Sequence, residues 1–278
     1  MTGAREQPGA DPEARLVAPS RSGARGPEVA AVEQRLVFGE VAEQYDQARP
    51  SYPDALFDTV IEHGGLAPGD AALEIGAGTG KATRGFVGRG IAVHALEPSP
   101  GMAAVLRGHG IDVEETTFED WPARPGAFRL VFAAQAWHWV QGADRYERAA
   151  SALAPGGTIA LFWNQGREWT GDMGADNDAA YAEHAPHLVG GRHFDLDREL
   201  DELAAVPSLT GVSKRVITWE QRYSTAEWVT MLGTHSDHRI LPEEQRARLH
   251  AAVGDVIERH GGFVDFVYDV NCYLATRV

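Results

Sequence analysis

The stretch Ala72-Leu73-Glu74-Ile75-Gly76-Ala77-Gly78-Thr79-Gly80 constrains this chain more than any other. An apolar run ends in an acid, and three glycines follow at alternate positions. Such a run reads as a buried strand, and glycines directly after it let the backbone turn sharply and come close to a ligand. A second apolar run, Ile91–Glu97, also closes on an acid. Together they describe a nucleotide-type ligand lying across the carboxyl ends of two parallel strands, with the second acid on ribose hydroxyls.

The rest of the chain extends that unit. Ala71–Ile75 and Ile91–Glu97 read as strands, each followed by a helix, Thr79–Gly88 and Pro100–His109. A short strand near Asp112–Glu114 and a longer one at Arg129–Ala134 come next, then a helix over Ala143–Leu153. The turn Ala154-Pro155-Gly156-Gly157 leads into a strand over Thr158–Trp163. Alternating strands and helices predict a parallel sheet covered by helices on both faces.

Before the core, residues 32–47 carry Val32, Leu36, Val37, Val41 and Tyr45 at helical spacing, and Asp54–His63 restarts a helix after Pro53. Residues 165–210 interrupt the alternation and read as a helical insertion over the ligand edge of the sheet. Beyond it, Ser213–Tyr223 and Phe263–Val278 read as strands, with helices over Ala226–Leu232 and Glu243–Arg259 between them. The expected organisation is a disordered tail over 1–31 and one domain over 32–278. That domain divides into a helical lid (32–66), a cofactor-binding core (67–164), the insertion and a C-terminal part of the sheet (211–278). The tail is rich in Gly, Ala, Pro, Arg and Glu and has too little apolar surface to offset its ordering entropy.

Composition narrows the partners. The net charge of −15 and the lack of a Lys/Arg cluster disfavour a nucleic acid. A single cysteine, Cys272, excludes an intramolecular disulfide. No apolar run is long enough to span a bilayer, so a cytoplasmic protein is expected, with no membrane partner. The pairs His184/His187 and His235/His238 lack companions that would complete a metal site, and none is expected.

The spacing of the glycines selects among ligands. A dinucleotide fingerprint needs glycine at its first, third and sixth places, and here these are Gly76, Gly78 and Lys81. The pattern Glu74-x-Gly76-x-Gly78-x-Gly80 instead resembles the first motif of the class I S-adenosylmethionine (SAM) dependent methyltransferases. The nearest likeness is to small-molecule enzymes of the ubiquinone-biosynthesis and trans-aconitate type. The resemblance covers residues 35–165 by motif and 210–278 more loosely. It implies a Rossmann-like, doubly wound α/β fold with a seven-stranded, mostly parallel sheet and an antiparallel last strand. It also implies SAM as cofactor, S-adenosylhomocysteine as product and a small-molecule substrate.

What the resemblance implies for the site follows residue by residue. Glu74 sits near the methionyl amino group, and Gly76, Ala77, Gly78 and Gly80 line the ribose and methionyl part. Glu97 takes the ribose hydroxyls, with Pro98 and Met102 flanking the adenine. In Phe118-Glu119-Asp120, Phe118 packs on the adenine ring and Glu119, or alternatively Asp120, accepts from its amine. Gln135, with Trp137-His138-Trp139 after it, faces the reactive methyl, and His138 is a candidate general base or a residue that orders the loop. Tyr45 is a candidate to line the methyl site, and Arg49 to bind the cofactor carboxylate. His235 and His238 are candidates for the substrate pocket, with surface exposure the plainer reading. Methyl transfer to a small molecule is the expected activity. A SAM-binding enzyme of this fold that catalyses a rearrangement or cyclisation without methylating is the alternative, followed by a binding or regulatory protein and a nicotinamide oxidoreductase.

Overall fold

The computed structural model describes residues 42–189 and 198–278. The expected tail and most of the first expected helix lie outside them. The described strands are β1 (Ala71–Ile75), β2 (Ala92–Leu96), β3 (Val113–Glu114), β4 (Phe128–Ala134), β5 (Leu153–Gly166), β6 (Leu209–Ser224) and β7 (Phe263–Arg277). The helices are α1 (Ala42–Ala48), α2 (Asp54–Gly64), α3 (Lys81–Val87), α4 (Pro100–Gly108), α5 (Arg145–Ala152), α6 (Gly171–His184), α7 (Arg198–Ala204), α8 (Thr225–Leu232), α9 (Ser236–Arg239) and α10 (Glu243–Arg259).

The strands form one seven-stranded sheet in the order β3-β2-β1-β4-β5-β7-β6. β3, β2, β1, β4 and β5 run parallel, and β7 is antiparallel to both β5 and β6. The expected fold class is borne out. Because side chains alternate across a strand, each central strand feeds two cores. In β5, Ile159, Leu161 and Trp163 enter one core, while Ala160 and Phe162 enter the other. In β7, Tyr273 and Ala275 join the first, and Val270, Cys272 and Leu274 the second.

Two expectations shift. β5 starts earlier than the Ala154–Gly157 turn suggested, because Leu153 already pairs with Phe128, and a register irregularity between Phe128 and Leu130 absorbs the turn. The described residues of the insertion are largely helical, and they do not line the ligand edge. α6 packs on α10, and its Met173 and Tyr181 lean on the cluster built from Trp228, Leu249, Val253 and Ile257. α6 thus buries its apolar side chains against the C-terminal helices, whereas Leu203 of α7 and Val206 after it join the core beneath the sheet.

One consequence places the site. β1 has β2 on one side and β4 on the other, so chain connections diverge from its carboxyl end. A crevice opens there in doubly wound sheets, and ligands occupy it.

Candidate functional site

The glycine turn at that crevice is fixed by close packing. A Cβ on Gly76 would stand 2.7 Å from the Ala136 Cβ, so β1 and the loop after β4 touch there. A Cβ on Gly80 would fall 2.1 Å from Leu106 Cδ1 of α4, at a φ of +86° that L side chains avoid. The turn therefore presents backbone where side chains would otherwise stand. The half-buried Gly78 amide donates to Glu97 Oε2 at 2.8 Å.

Glu97, just after β2, is 6% exposed and accepts a second backbone amide, from Ser99, on Oε1 at 2.8 Å. Each carboxylate oxygen thus has one bond fixing its direction, and a carboxylate has about four acceptor positions. Glu74, on β1, is fully buried. Its Oε2 accepts from the Thr83 hydroxyl at 2.5 Å, whereas Oε1 is buried with no partner. Burial pushes its pKa up to about 8; the Thr83 bond and Arg84 oppose this, and Glu97 adds to it. An orphaned acceptor beside a glycine cradle suits a ligand that brings its own N–H donors.

A cavity of about 210 Å³ opens along the strand ends. Its walls carry Tyr45, Arg49, Gly76, Glu97, Pro98, Met102, Phe118, Glu119, Gln135 and His138 from the sequence-predicted set. Glu74, Ala77, Gly78 and Gly80 stand behind that wall and shape it. Glu119 faces the cavity and accepts from the Gln141 amide at 2.5 Å, while Asp120 turns to the Thr117 hydroxyl at 2.8 Å. Local sequence left those two acids undivided.

Gln135 is the one described non-glycine residue with positive φ, at 56°. Its amide donates to Phe162 O and its side chain to Asn164 O, both at 2.9 Å, which ties the strained turn to β5. Strain held this firmly at a cavity wall is characteristic of functional sites. Next to it, His138 lines the cavity and its Nδ1 accepts from the indole N–H of Trp163 at 3.3 Å.

The opposite wall is assembled from distant segments. Arg49 lies over the Tyr45 ring at 5.3 Å and donates to Thr234 O at 3.1 Å, while its Nε is buried without a partner. His235, Ser236 and Asp237 complete that wall. Burial, with Arg49 nearby, holds His235 well below the usual imidazole range, and its Nε2 is buried with no partner. His238 departs from the surface reading: it is 3% exposed. It bonds His250 at 3.0 Å and Tyr181 at 3.2 Å behind the wall, and burial pushes its pKa down to about 4.

Sequence reasoning missed Thr116, Thr117, Ser236 and Asp237 as cavity residues. The run Thr234-His235-Ser236-Asp237-His238 carried the only signal for the last two. The described residues of the insertion do not line the cavity. Among the described residues, no group of three or more His, Cys, Asp or Glu is placed to hold a metal, and no helix is long and apolar enough to cross a membrane.

Comparison with known proteins agrees with this architecture. Residues 72–157 match the family described as methyltransferase domain. An uncharacterized methyltransferase of Mycobacterium tuberculosis is 28% identical over 233 residues, covering 81% of this chain and 87% of the relative. The trans-aconitate 2-methyltransferase of M. tuberculosis is 32% identical over 108 residues, covering 38% of this chain and 41% of that enzyme. Among solved structures, the cyclopropane synthase MmaA2 of M. tuberculosis aligns with a TM-score of 0.52 at 18% identity, covering 88% of this chain and 98% of that one, a likeness of fold. Residues 72–157 thus resemble a methyltransferase domain, and the chain shares its fold with that synthase.

Proposed function

We propose that this chain, as a single domain over 32–278, transfers a methyl group from SAM to a small molecule held in the cavity. The observation that carries the reading is Glu97, pinned by two backbone amides at the carboxyl end of β2, beside the crevice at the end of β1. An acid held so firmly suits the paired hydroxyls of a ribose, as it can accept from both.

The remaining residues fit the same ligand. Glu74 Oε1, buried behind the glycine turn, is an unmet acceptor that suits the methionyl ammonium, and Gly76 packs its backbone tightly against Ala136 in the cavity wall. Pro98, Met102, Phe118 and Glu119 would hold the adenine, and Arg49 would bind a carboxylate. When bound, SAM supplies an electrophilic methyl on a sulfonium. The protein's share is to exclude water and align the acceptor within about 3 Å of that methyl, a proximity effect needing few catalytic groups. Tyr45, Gln135 and His138 are the residues proposed to face the acceptor.

Calorimetric titration with SAM and S-adenosylhomocysteine, followed by mass analysis of small-molecule products, tests this. Binding of both ligands and a product heavier by one methylene unit support methyl transfer. A SAM-dependent product of unchanged mass supports the rearrangement alternative. A well-folded protein that binds neither ligand contradicts both.

A further inference from the structure

We infer that Asp46 is a positioning residue. With Lys81 and Arg84 it clasps α1 to the glycine turn, so that a cofactor seated on the turn orders the wall that receives the methyl acceptor. The inference rests on the methyl-transfer reading above and adds to it the group that couples the two walls.

Lys81 stands where a basic side chain is least expected. It opens α3 directly after Gly80, and the N-terminus of a helix carries a partial positive charge that favours acids there. Its side chain is only 14% exposed, so the ammonium is also largely withdrawn from water. Burial holds its pKa below the usual lysine range. Two penalties at one residue call for a partner that outweighs them, and α1 supplies it. Lys81 Nζ donates to the backbone oxygen of Asp46 at 2.5 Å and lies 3.8 Å from Asp46 Oδ1. Asp46 is in the last turn of α1, where carbonyls lack intrahelical donors, so the ammonium of one helix caps another.

Arg84 makes the second half of the clasp. One guanidinium nitrogen donates to Thr79 O at 3.0 Å, inside the glycine turn between Gly78 and Gly80, and another to Asp46 Oδ1 at 3.1 Å. A planar guanidinium fixes both acceptors relative to each other. His109, at the end of α4, reaches the second carboxylate oxygen, Oδ2, at 3.0 Å. The largely buried Asp46 carboxylate thus joins α1 to the turn, to α3 and to α4. Asp46, Lys81 and Arg84 stand outside the cavity wall, so they act on it only through the elements they hold.

The clasp holds the acceptor side of the cavity. α1 brings Tyr45 to the wall, and Arg49 follows, its amide donating to Tyr45 O at 3.0 Å and its guanidinium lying over the Tyr45 ring. The far end of the segment is tied elsewhere, by Arg49 to Thr234 O and by the Asn164 side chain to Ser51 O at 3.2 Å. A ligand that restrains Thr79 and the glycines beside it restrains Arg84 and Asp46 with them. The coupling is reciprocal: whatever loosens α1 weakens the ligand by the same factor.

Hydrogen exchange of the full chain with and without S-adenosylhomocysteine, beside calorimetric affinities, tests this. In the wild type the ligand should slow exchange in residues 42–49 together with 76–84. Asp46→Asn removes the charge, and Lys81→Met does so from the other side should the first variant fail to fold. In either, the ligand should still slow exchange in 76–84, while its protection of 42–49 falls roughly 5-fold and its affinity falls about 5- to 10-fold. Arg89→Gln, which breaks exposed links to Asp54 and Asp58 of α2, is the control and should leave the protection of α1 unchanged. A wild type whose α1 ignores the ligand overturns the inference. So do variants in which α1 stays protected, or a control that loses protection equally. Failure to bind S-adenosylhomocysteine at all sinks the underlying methyl-transfer reading instead, so the two failures are distinguishable.

Discussion

The two walls of the cavity are built in different ways. The wall proposed for the cofactor comes from contiguous sequence: Glu74 to Gly80 in one stretch, and Glu97 to Ser99 in another. Its key side chain is oriented by backbone amides. The facing wall draws Tyr45 and Arg49 from the N-terminal side, His138 from after β4 and His235 to Asp237 from near the C-terminus. Its polar side chains are oriented by other side chains, as in Trp163 to His138, or left partly unmet, as in Arg49 and His235. A site for a constant ligand can be encoded locally in turn geometry. A site for a variable ligand is an assembly of long-range contacts, which a substitution can retune without disturbing the sheet.

The sharpest way to break this contrast is to attack the locally encoded wall. Gly80→Ala places a Cβ against Leu106 at positive φ and should cost roughly 2–5 kcal/mol of stability, read by urea unfolding. Gly211, also at positive φ but with nothing near a Cβ, serves as the control and should cost about 1–2 kcal/mol on substitution to alanine. Equal losses would remove the claim that close packing defines the glycine turn.

Glu74 offers a subtler test. Its carboxyl titrates near 8 in the fold against an ordinary value of 4.5. Between those values the native state holds a proton that the unfolded chain has released, so stability should fall as pH rises across that window. Glu74→Gln should flatten that slope. If the methionyl ammonium sits beside Glu74, SAM binding at neutral pH expels the proton. Calorimetry in buffers of differing ionisation enthalpy should then register proton release in the wild type and less in the variant. An unchanged proton count would separate Glu74 from the ligand.

Smaller effects sharpen the boundaries. Glu119→Gln should weaken SAM binding about 5-fold, the worth of one hydrogen bond, whereas Asp120→Asn should leave it unchanged. The reverse order would move the adenine contact. Asp176→Ala removes an exposed link from α6 to Arg259 and His260 of the C-terminal region. It should lower Tm slightly and leave SAM affinity untouched; a clear loss of affinity would return the insertion to the cavity.

How much of this was legible in the chain follows the same division. The sheet was readable because each strand alternates between two cores, and Glu243–Arg259 because Leu249, Val253 and Ile257 share a face. The cofactor loop was readable because a glycine turn is a local event. The early start of β5 was not, because Leu153 pairs with Phe128 across the sheet. Nor was the docking of the insertion, which depends on an apolar surface formed by α8 and α10. Trp163 closes the expected strand Thr158–Trp163, and it is buried. Its bond to His138 joins residues on neighbouring strand ends, a relation no local pattern carries.

Titrating SAM into wild-type protein and into Glu97→Ala tests the central claim most directly. The wild type should bind, and the variant should lose on the order of 100-fold in affinity, since two hydrogen bonds from ribose hydroxyls to a charged group disappear. Its far-UV circular dichroism should stay that of the wild type. Equal affinity in a folded variant would contradict the placement of the cofactor across the ends of β1 and β2, and with it the reading of both walls.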